Sequence, residues 1–169
     1  MVPCSMVAIV CLTPRNAFGL AVSMVICFGA AGLGSLFTTP SIESWYVTLR
    51  KPPWTPPNWL FGPAWTALYL GMAIAAWLVW RRAGVSGGKL ALTLFALQLV
   101  LNVCWSAIFF SAHMPGFAFA VIVLLWLLIL ATVVSFWPVS RAASGLMVPY
   151  LLWVAFAAAL NYAIWRLNA

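Results

Sequence analysis

Long apolar stretches separated by short polar segments make up most of this chain. Five of them approach 20 residues, the length at which a helix crosses a hydrocarbon core of about 30 Å. They cover residues 18–38, 59–80, 90–110, 117–137 and 145–165. The runs lack the strict alternation of a barrel strand, and unpaired backbone groups are costly in lipid. The pattern predicts an all-α integral membrane bundle of five transmembrane helices.

The connections between these stretches predict the topology. Residues 81–89, 111–116 and 138–144 are short separators, which favours antiparallel neighbours joined by tight turns. Residues 1–17 are treated as an N-terminal tail, and residues 18–169 form the predicted membrane domain. The connection between the first two spans is longer, at about twenty residues.

This long first loop is rich in aromatic residues and proline. Trp45, Tyr46, Trp54 and Trp59 stand among four prolines. Proline fixes φ and lowers the entropy of the free chain, so the sequence predicts a structured loop that acts as a lid over the mouth of the bundle. The alternative is that these rings belong to the interfacial aromatic belt of membrane proteins.

Composition excludes several classes of protein. Hydrophobic residues make up 66% of the 169 residues and charged residues 5%, whereas soluble domains carry about 25% charged residues. The basic residues are scattered, so no nucleic-acid partner is expected. One side of the predicted bundle holds five of them and the other three, which favours a cytoplasmic N-terminus. The two groups are Arg15, Arg81, Arg82, Lys89 and Arg141, and Arg50, Lys51 and Arg166.

Conventional catalytic and metal chemistry has little support. Glu43 is the only acidic residue, His113 has no second ligand nearby, and the cysteines form no C-x-x-C pair. Two-carboxylate catalysis is therefore excluded, and neither a metal site nor a required cofactor is predicted.

Polar and aromatic residues recur on one face of three spans. Their spacings place them at i, i+3, i+4, i+7 and i+11 positions, which share a helix face. The three sets are Gln98, Asn102, Trp105 and Phe109; Tyr150, Trp153, Ala157 and Asn161; and Trp65, Tyr69, Met72 and Ala76. Such faces point into the bundle. Their residues either line a ligand site, or form hydrogen bonds between helices and fill the core.

Four motifs in order resemble the TspO family, the translocator proteins also called peripheral benzodiazepine receptors. They begin with Trp45-Tyr46 and the run KPPWTPP at 51–57, followed by GPAW at 62–65. Next come QLVLN at 98–102 with Trp105 and IFF at 108–110. Last are PYLLW at 149–153, AFA at 155–157, LNY at 160–162 and Trp165-Arg166.

The resemblance implies a membrane protein, often dimeric, whose first loop closes a ligand pocket. The implied ligands are porphyrins, sterols and isoquinoline or benzodiazepine drugs. By family position the pocket residues are Tyr46, Trp54, Pro56, Trp65, Asn102, Trp153 and Ala157, and the helix register adds Trp105. Leu160, Tyr162 and Arg166 correspond to the family's proposed sterol motif.

Three functional hypotheses follow. The leading one is a tetrapyrrole-binding protein acting in porphyrin transport, sensing or disposal. In this hypothesis the indoles stack on the flat aromatic plate of the porphyrin, while Arg50 and Lys51 attract its carboxylates. The second is light-dependent degradation of protoporphyrin by Trp65 and Trp153, as reported for some bacterial relatives. The third is a sterol- or lipid-binding scaffold.

Two departures from the animal members suggest a bacterial type. Phe117 stands where animal members usually have Trp, and the sequence ends at Ala169 without their charged tail. The expected location is therefore a bacterial cell membrane rather than the mitochondrial outer membrane.

Overall fold

The computed structural model describes residues 13–169, which form five long helices and, within that range, no strand. All five are long and apolar enough to cross a membrane. They are α1 (Pro14–Ile42), α2 (Asn58–Gly87), α3 (Lys89–Ser106), α4 (Pro115–Phe136) and α5 (Arg141–Asn168). The predicted five-helix bundle is confirmed, whereas most of the predicted tail, residues 1–12, lies outside the described residues.

Capping residues explain where α1 and α5 begin. The Thr13 hydroxyl accepts a hydrogen bond from the Asn16 backbone N–H at 3.3 Å, and Pro14 occupies the first helical position. Ser140 caps α5 in the same way by accepting from the Ala143 N–H at 3.2 Å. Side-chain caps satisfy N–H groups that have no partner within the helix, so both helices begin four residues before the predicted apolar stretches.

The predicted separator at 81–89 is largely helical in the structure: α2 kinks at Gly84 and extends as a short helical piece to Gly87, and α3 begins at Lys89. The direction of the chain changes at Gly84, whose φ of 64° and ψ of −171° are accessible only to glycine at low cost. One residue thus breaks the helix where a loop of nine residues was expected.

The helices form a closed ring in the order α1, α2, α5, α4, α3. Consecutive helices run in opposite directions, so the first loop, the α3–α4 connection and the C-terminal end of α5 meet at one end of the bundle. Large apolar side chains such as Val25, Leu36, Val100 and Leu152 lie exposed on the outside, as expected for a surface in contact with lipid.

Two buried asparagines join the helices through hydrogen bonds. Asn102 accepts from the Tyr69 hydroxyl at 3.0 Å and donates to the Tyr150 hydroxyl at 2.8 Å, joining α3 to α2 and α5. Asn161 accepts from the Trp105 indole N–H at 3.0 Å and donates to the Pro115 carbonyl at 2.8 Å. These contacts fit the interhelical hydrogen-bonding role that was one interpretation of the amides.

Candidate functional site: a cavity under the first loop

A cavity of about 530 Å³ lies inside the ring, at the end of the bundle that carries the first loop. Helices α1, α2, α3 and α5 line it, together with Tyr46 of the first loop. Its volume falls within the range of about 300–1,000 Å³ that is usual for sites of small organic ligands. The fold therefore provides room for a ligand where the aromatic faces of three helices converge.

Aromatic rings form much of the cavity wall. Of the predicted ligand-binding residues, the cavity is lined by Tyr46, Trp65, Asn102, Trp105, Trp153 and Ala157. The rings come from the loop, α2, α3 and α5, so no single helix builds the site. Five of these six residues were identified by the helix registers read from the sequence, and the sixth, Tyr46, by the family resemblance.

A π turn (Ala107–Ser111) extends α3 beneath the first loop. The Ala112 N–H donates to the Ala107 carbonyl at 2.9 Å, which widens the last turn of the helix. Phe109 is 3% exposed and stacks on Trp105 with ring centroids 5.7 Å apart, and both rings line the cavity. Such turns occur frequently at functional sites, and this one was not predicted from the sequence.

Sequence reasoning missed the contribution of α1. Ser35, Thr38 and Thr39 of this helix line the cavity. Three hydroxyls within five residues of an otherwise apolar span were the signal that could have identified them, because polar groups at membrane depth tend to face the bundle interior.

The cavity opens sideways between α1 and α2. Ser35 and Thr39 on α1 and Trp59 and Thr66 on α2 line it and are also exposed on the surface. Trp59 keeps 72% of its surface accessible. Since both helices are long and apolar enough to cross the membrane, an opening between them faces lipid.

The cavity wall is uncharged. Within the described range 13–169, no Lys, Arg, His, Asp or Glu lines it, although hydroxyl and amide groups do. A fully charged ligand buried there would lose its hydration without a counter-charge, which is unfavourable. The wall therefore suits a neutral, mainly apolar ligand or the neutral part of a larger one.

Lys51 lies just outside this wall. Its ammonium nitrogen stands 4.3 Å from the centroid of the Tyr46 ring, a cation–π contact, and Tyr46 lines the cavity. Arg50 is exposed and lies next to Lys51 in the loop. Burial raises the pKa of the Tyr46 phenol, so this hydroxyl stays protonated at neutral pH. The two predicted carboxylate-attracting residues thus lie beside the cavity rather than in it.

The first loop is held down by aromatic contacts at two points. Trp45 stacks on His113 of the α3–α4 connection, with ring centroids 4.3 Å apart and planes at 17°. Trp54 packs edge-on against Phe156 of α5 at 5.8 Å. These contacts bind the loop to the bundle, whereas rings that served only as an interfacial belt would face lipid headgroups.

Two predicted pocket residues lie elsewhere. Trp54 is 47% exposed and contacts the outer side of α5, and neither Trp54 nor Pro56 lines the cavity. Trp54's neighbour Phe156 belongs to a separate apolar groove between α2 and α5. Trp153 lines both spaces and so forms part of the wall between cavity and groove.

The three residues of the predicted sterol motif do not come together. Leu160 is 5% exposed and lines the cavity, whereas Tyr162 packs against Phe119 of α4 at 5.2 Å and is 44% exposed. Positions two apart on a helix differ by about 200°, so Leu160 and Tyr162 point in opposite directions. Arg166 is exposed one turn beyond Tyr162.

Comparison with known proteins agrees with this architecture. The TspO/MBR family matches residues 21–166. The chain is 44% identical to the tryptophan-rich protein TspO of Chlorobaculum tepidum over 91% of this chain and 98% of that protein. It is 43% identical to protein CrtK of Rhodobacter capsulatus over 88% and 91% of the two chains. It is 40% identical to the human translocator protein over 92% and 90%. These matches span all five helices and the first loop, and the chain belongs to the TspO/MBR family.

Proposed function

We propose that this membrane protein binds a tetrapyrrole in the cavity beneath its first loop and acts in the transport, sensing or disposal of porphyrins. The observation that carries the proposal is the uncharged cavity of about 530 Å³ walled by Tyr46, Trp65, Trp105, Phe109 and Trp153. Flat aromatic plates stack favourably on such rings. The opening toward lipid between α1 and α2 suits a ligand that partitions into membranes.

The uncharged wall also determines how such a ligand would lie. The carboxylates of a porphyrin would lose hydration inside the cavity, so they would remain outside its wall, on the side of Tyr46 where Arg50 and Lys51 lie. The apolar plate would occupy the interior. Arg50 and Lys51 would then contribute to binding by charge and the indoles by stacking.

Binding is tested by titrating purified protein with protoporphyrin IX while its tryptophan fluorescence is recorded. We expect saturable quenching in the wild type. Ala157→Leu, which puts a larger side chain into the cavity, should weaken binding at least tenfold. Ala159→Leu is the matched control, because Ala159 is exposed on the same helix and does not line the cavity. Equal affinities in the two variants would reject the cavity as the site.

The orientation of the ligand is tested by comparing protoporphyrin with its dimethyl ester. We expect Lys51→Met to weaken binding of the dicarboxylate severalfold and to leave binding of the ester nearly unchanged. The effect on the dicarboxylate should shrink as salt concentration rises, because exposed charges are screened. Equal losses for the two ligands would indicate that Lys51 acts through packing on Tyr46 rather than through charge.

A second candidate function is light-dependent degradation of the bound porphyrin. Trp65 and Trp153 line the same cavity, and the buried Trp153 indole N–H has no hydrogen-bond partner among residues 13–169. Two indoles would therefore flank a bound plate. Porphyrin loss under illumination in air should fall in Trp65→Phe and Trp153→Phe at matched ligand occupancy. Equal rates in wild type and variants would remove the indoles from this chemistry.

We also propose a bacterial cell membrane as the location, in keeping with the bacterial relatives of similar length. Sterols, isoquinoline or benzodiazepine drugs and a second copy of the chain remain predicted partners. For sterols, the division of the motif between two faces of α5 makes Leu160 and the cavity a better candidate site than Tyr162 with Arg166.

A further inference from the structure

Asn168, in the last turn of α5, pairs with the backbone of the first loop. Its side-chain oxygen accepts from the Arg50 backbone N–H at 3.0 Å, and its side-chain nitrogen donates to the Arg50 carbonyl at 2.9 Å. The same nitrogen also donates to the Ile164 carbonyl of α5 at 2.7 Å. One amide thus imitates the hydrogen bonding of a neighbouring β-strand while remaining fixed to its own helix.

The backbone groups of Arg50 have no partner within a helix. This residue lies outside the helices, and Pro52 and Pro53 lack N–H groups with which the segment could pair. The polar contact is also distinct from the two aromatic contacts of the loop, which involve Trp45 and Trp54. Asn168 therefore holds the loop segment between Trp45 and Trp54 against the end of α5.

This stretch leads directly to the cavity. Lys51 follows Arg50 and contacts the ring of Tyr46, which is 6% exposed and forms part of the cavity wall. A displacement of the Arg50 backbone would carry Lys51 away from Tyr46 and loosen the wall at that point. The C-terminal end of α5 is in this way coupled to closure of the site, although Asn168 does not line it.

We propose that Asn168 is a positioning residue that holds the first loop closed over the cavity and so slows release of the ligand. The consequence for ligand release rests on the proposed tetrapyrrole function, whereas the closure itself does not require a ligand. Asn168 and Arg50 are 118 positions apart, and both groups are exposed to water, so the hydrogen bonds are free to break and re-form without unfolding the bundle.

Closure is tested without a ligand by amide hydrogen exchange, using selective ¹⁵N-arginine labelling to observe the Arg50 N–H by NMR. We expect Asn168→Ala to speed exchange at Arg50 about tenfold or more, the size of one or two lost hydrogen bonds. Asn168→Asp keeps the acceptor for this N–H and should preserve part of the protection. Arginines within helices, such as Arg81, provide an internal reference. Unchanged exchange at Arg50 in Asn168→Ala would overturn the proposal.

The effect on release is tested by measuring the dissociation rate of protoporphyrin. We expect Asn168→Ala to release it severalfold faster with an unchanged melting temperature, and Leu167→Ala, its exposed neighbour, to behave as wild type. Faster exchange at Arg50 with an unchanged dissociation rate would overturn the claim about release. Absence of saturable porphyrin binding in wild type would instead reject the proposed function, and the exchange measurement would still decide the role of Asn168.

Discussion

At the scale of single residues, Asn102 joins three helices through its side chain. It is 2% exposed and satisfies the buried hydroxyls of Tyr69 and Tyr150 at once. Asn102→Leu keeps the branched shape and the number of side-chain heavy atoms but leaves two phenol groups without their partner. We expect the free energy of unfolding to fall by about 1–3 kcal/mol, the penalty for an unsatisfied buried polar group.

This loss is measured by reversible unfolding in mixed detergent micelles. Tyr69→Phe is the graded control, since it removes one hydrogen bond and leaves Asn102 bonded to Tyr150. It should cost about 0.6 kcal/mol, the average for interhelical hydrogen bonds in membrane proteins. If Asn102→Leu were no more destabilising than Tyr69→Phe, the shared-partner role of Asn102 would be wrong.

Burial of single side chains was predictable from the sequence, whereas their distant hydrogen-bond partners were not. Gln98, Asn102 and Trp105 are all buried, as their common helix face predicted, because period and polarity are properties of the local sequence. The pairing of Asn168 with Arg50 was not predictable. It depends on where the loop returns to the bundle, and an asparagine near a helix end usually indicates only a cap or a turn.

At the scale of helices, the contact between α4 and α5 depends on a glycine. A Cβ placed on Gly116 would lie 2.9 Å from Nε1 and 3.0 Å from Cε2 of Trp165, closer than a side-chain methyl normally approaches. Trp165 also stacks on Phe119 at 6.1 Å, so its ring is restrained on a second side. The two helices therefore approach closely because residue 116 has no side chain.

We accordingly expect Gly116→Ala to destabilise the protein by about 1–3 kcal/mol, the usual cost of overpacking. Gly145→Ala is the matched control: it makes the same change in α5, where a Cβ would meet nothing within 4 Å. That variant should be neutral or more stable, because alanine is favoured over glycine within helices by about 0.5–1 kcal/mol. Thermal denaturation of both variants measures the difference, and equal melting temperatures would refute the close contact.

The sequence predicted where the helices lie better than where they end. The five apolar runs located all five helices, since a membrane demands length and hydrophobicity from each span. Their ends were harder to place, because Thr13, Ser140 and Gly84 act through capping and backbone geometry rather than hydrophobicity. The ring order of the helices likewise depends on packing among distant segments.

At the scale of the whole molecule, the distribution of charge predicts orientation in the membrane. The ends of α2 and α4 and the starts of α1, α3 and α5 lie on one side, where five of the eight basic residues are found. Three of these arginines also lie over tryptophan rings, namely Arg15 over Trp80, Arg81 over Trp77 and Arg141 over Trp137. Since basic residues are retained on the cytoplasmic side, we expect the first loop, and with it the end of the bundle that holds the cavity, to face outward.

Labelling of single cysteines in intact cells with a membrane-impermeant maleimide measures this orientation. In a background whose native cysteines are replaced, Thr48→Cys in the first loop should react, whereas Ser86→Cys near the end of α2 should react only after the membrane is broken. Both positions are exposed, so access to the reagent and not burial decides the result. The reverse pattern would place the first loop in the cytoplasm and the N-terminus outside, and the carboxylates of a bound porphyrin near Arg50 and Lys51 would then lie on the cytoplasmic side.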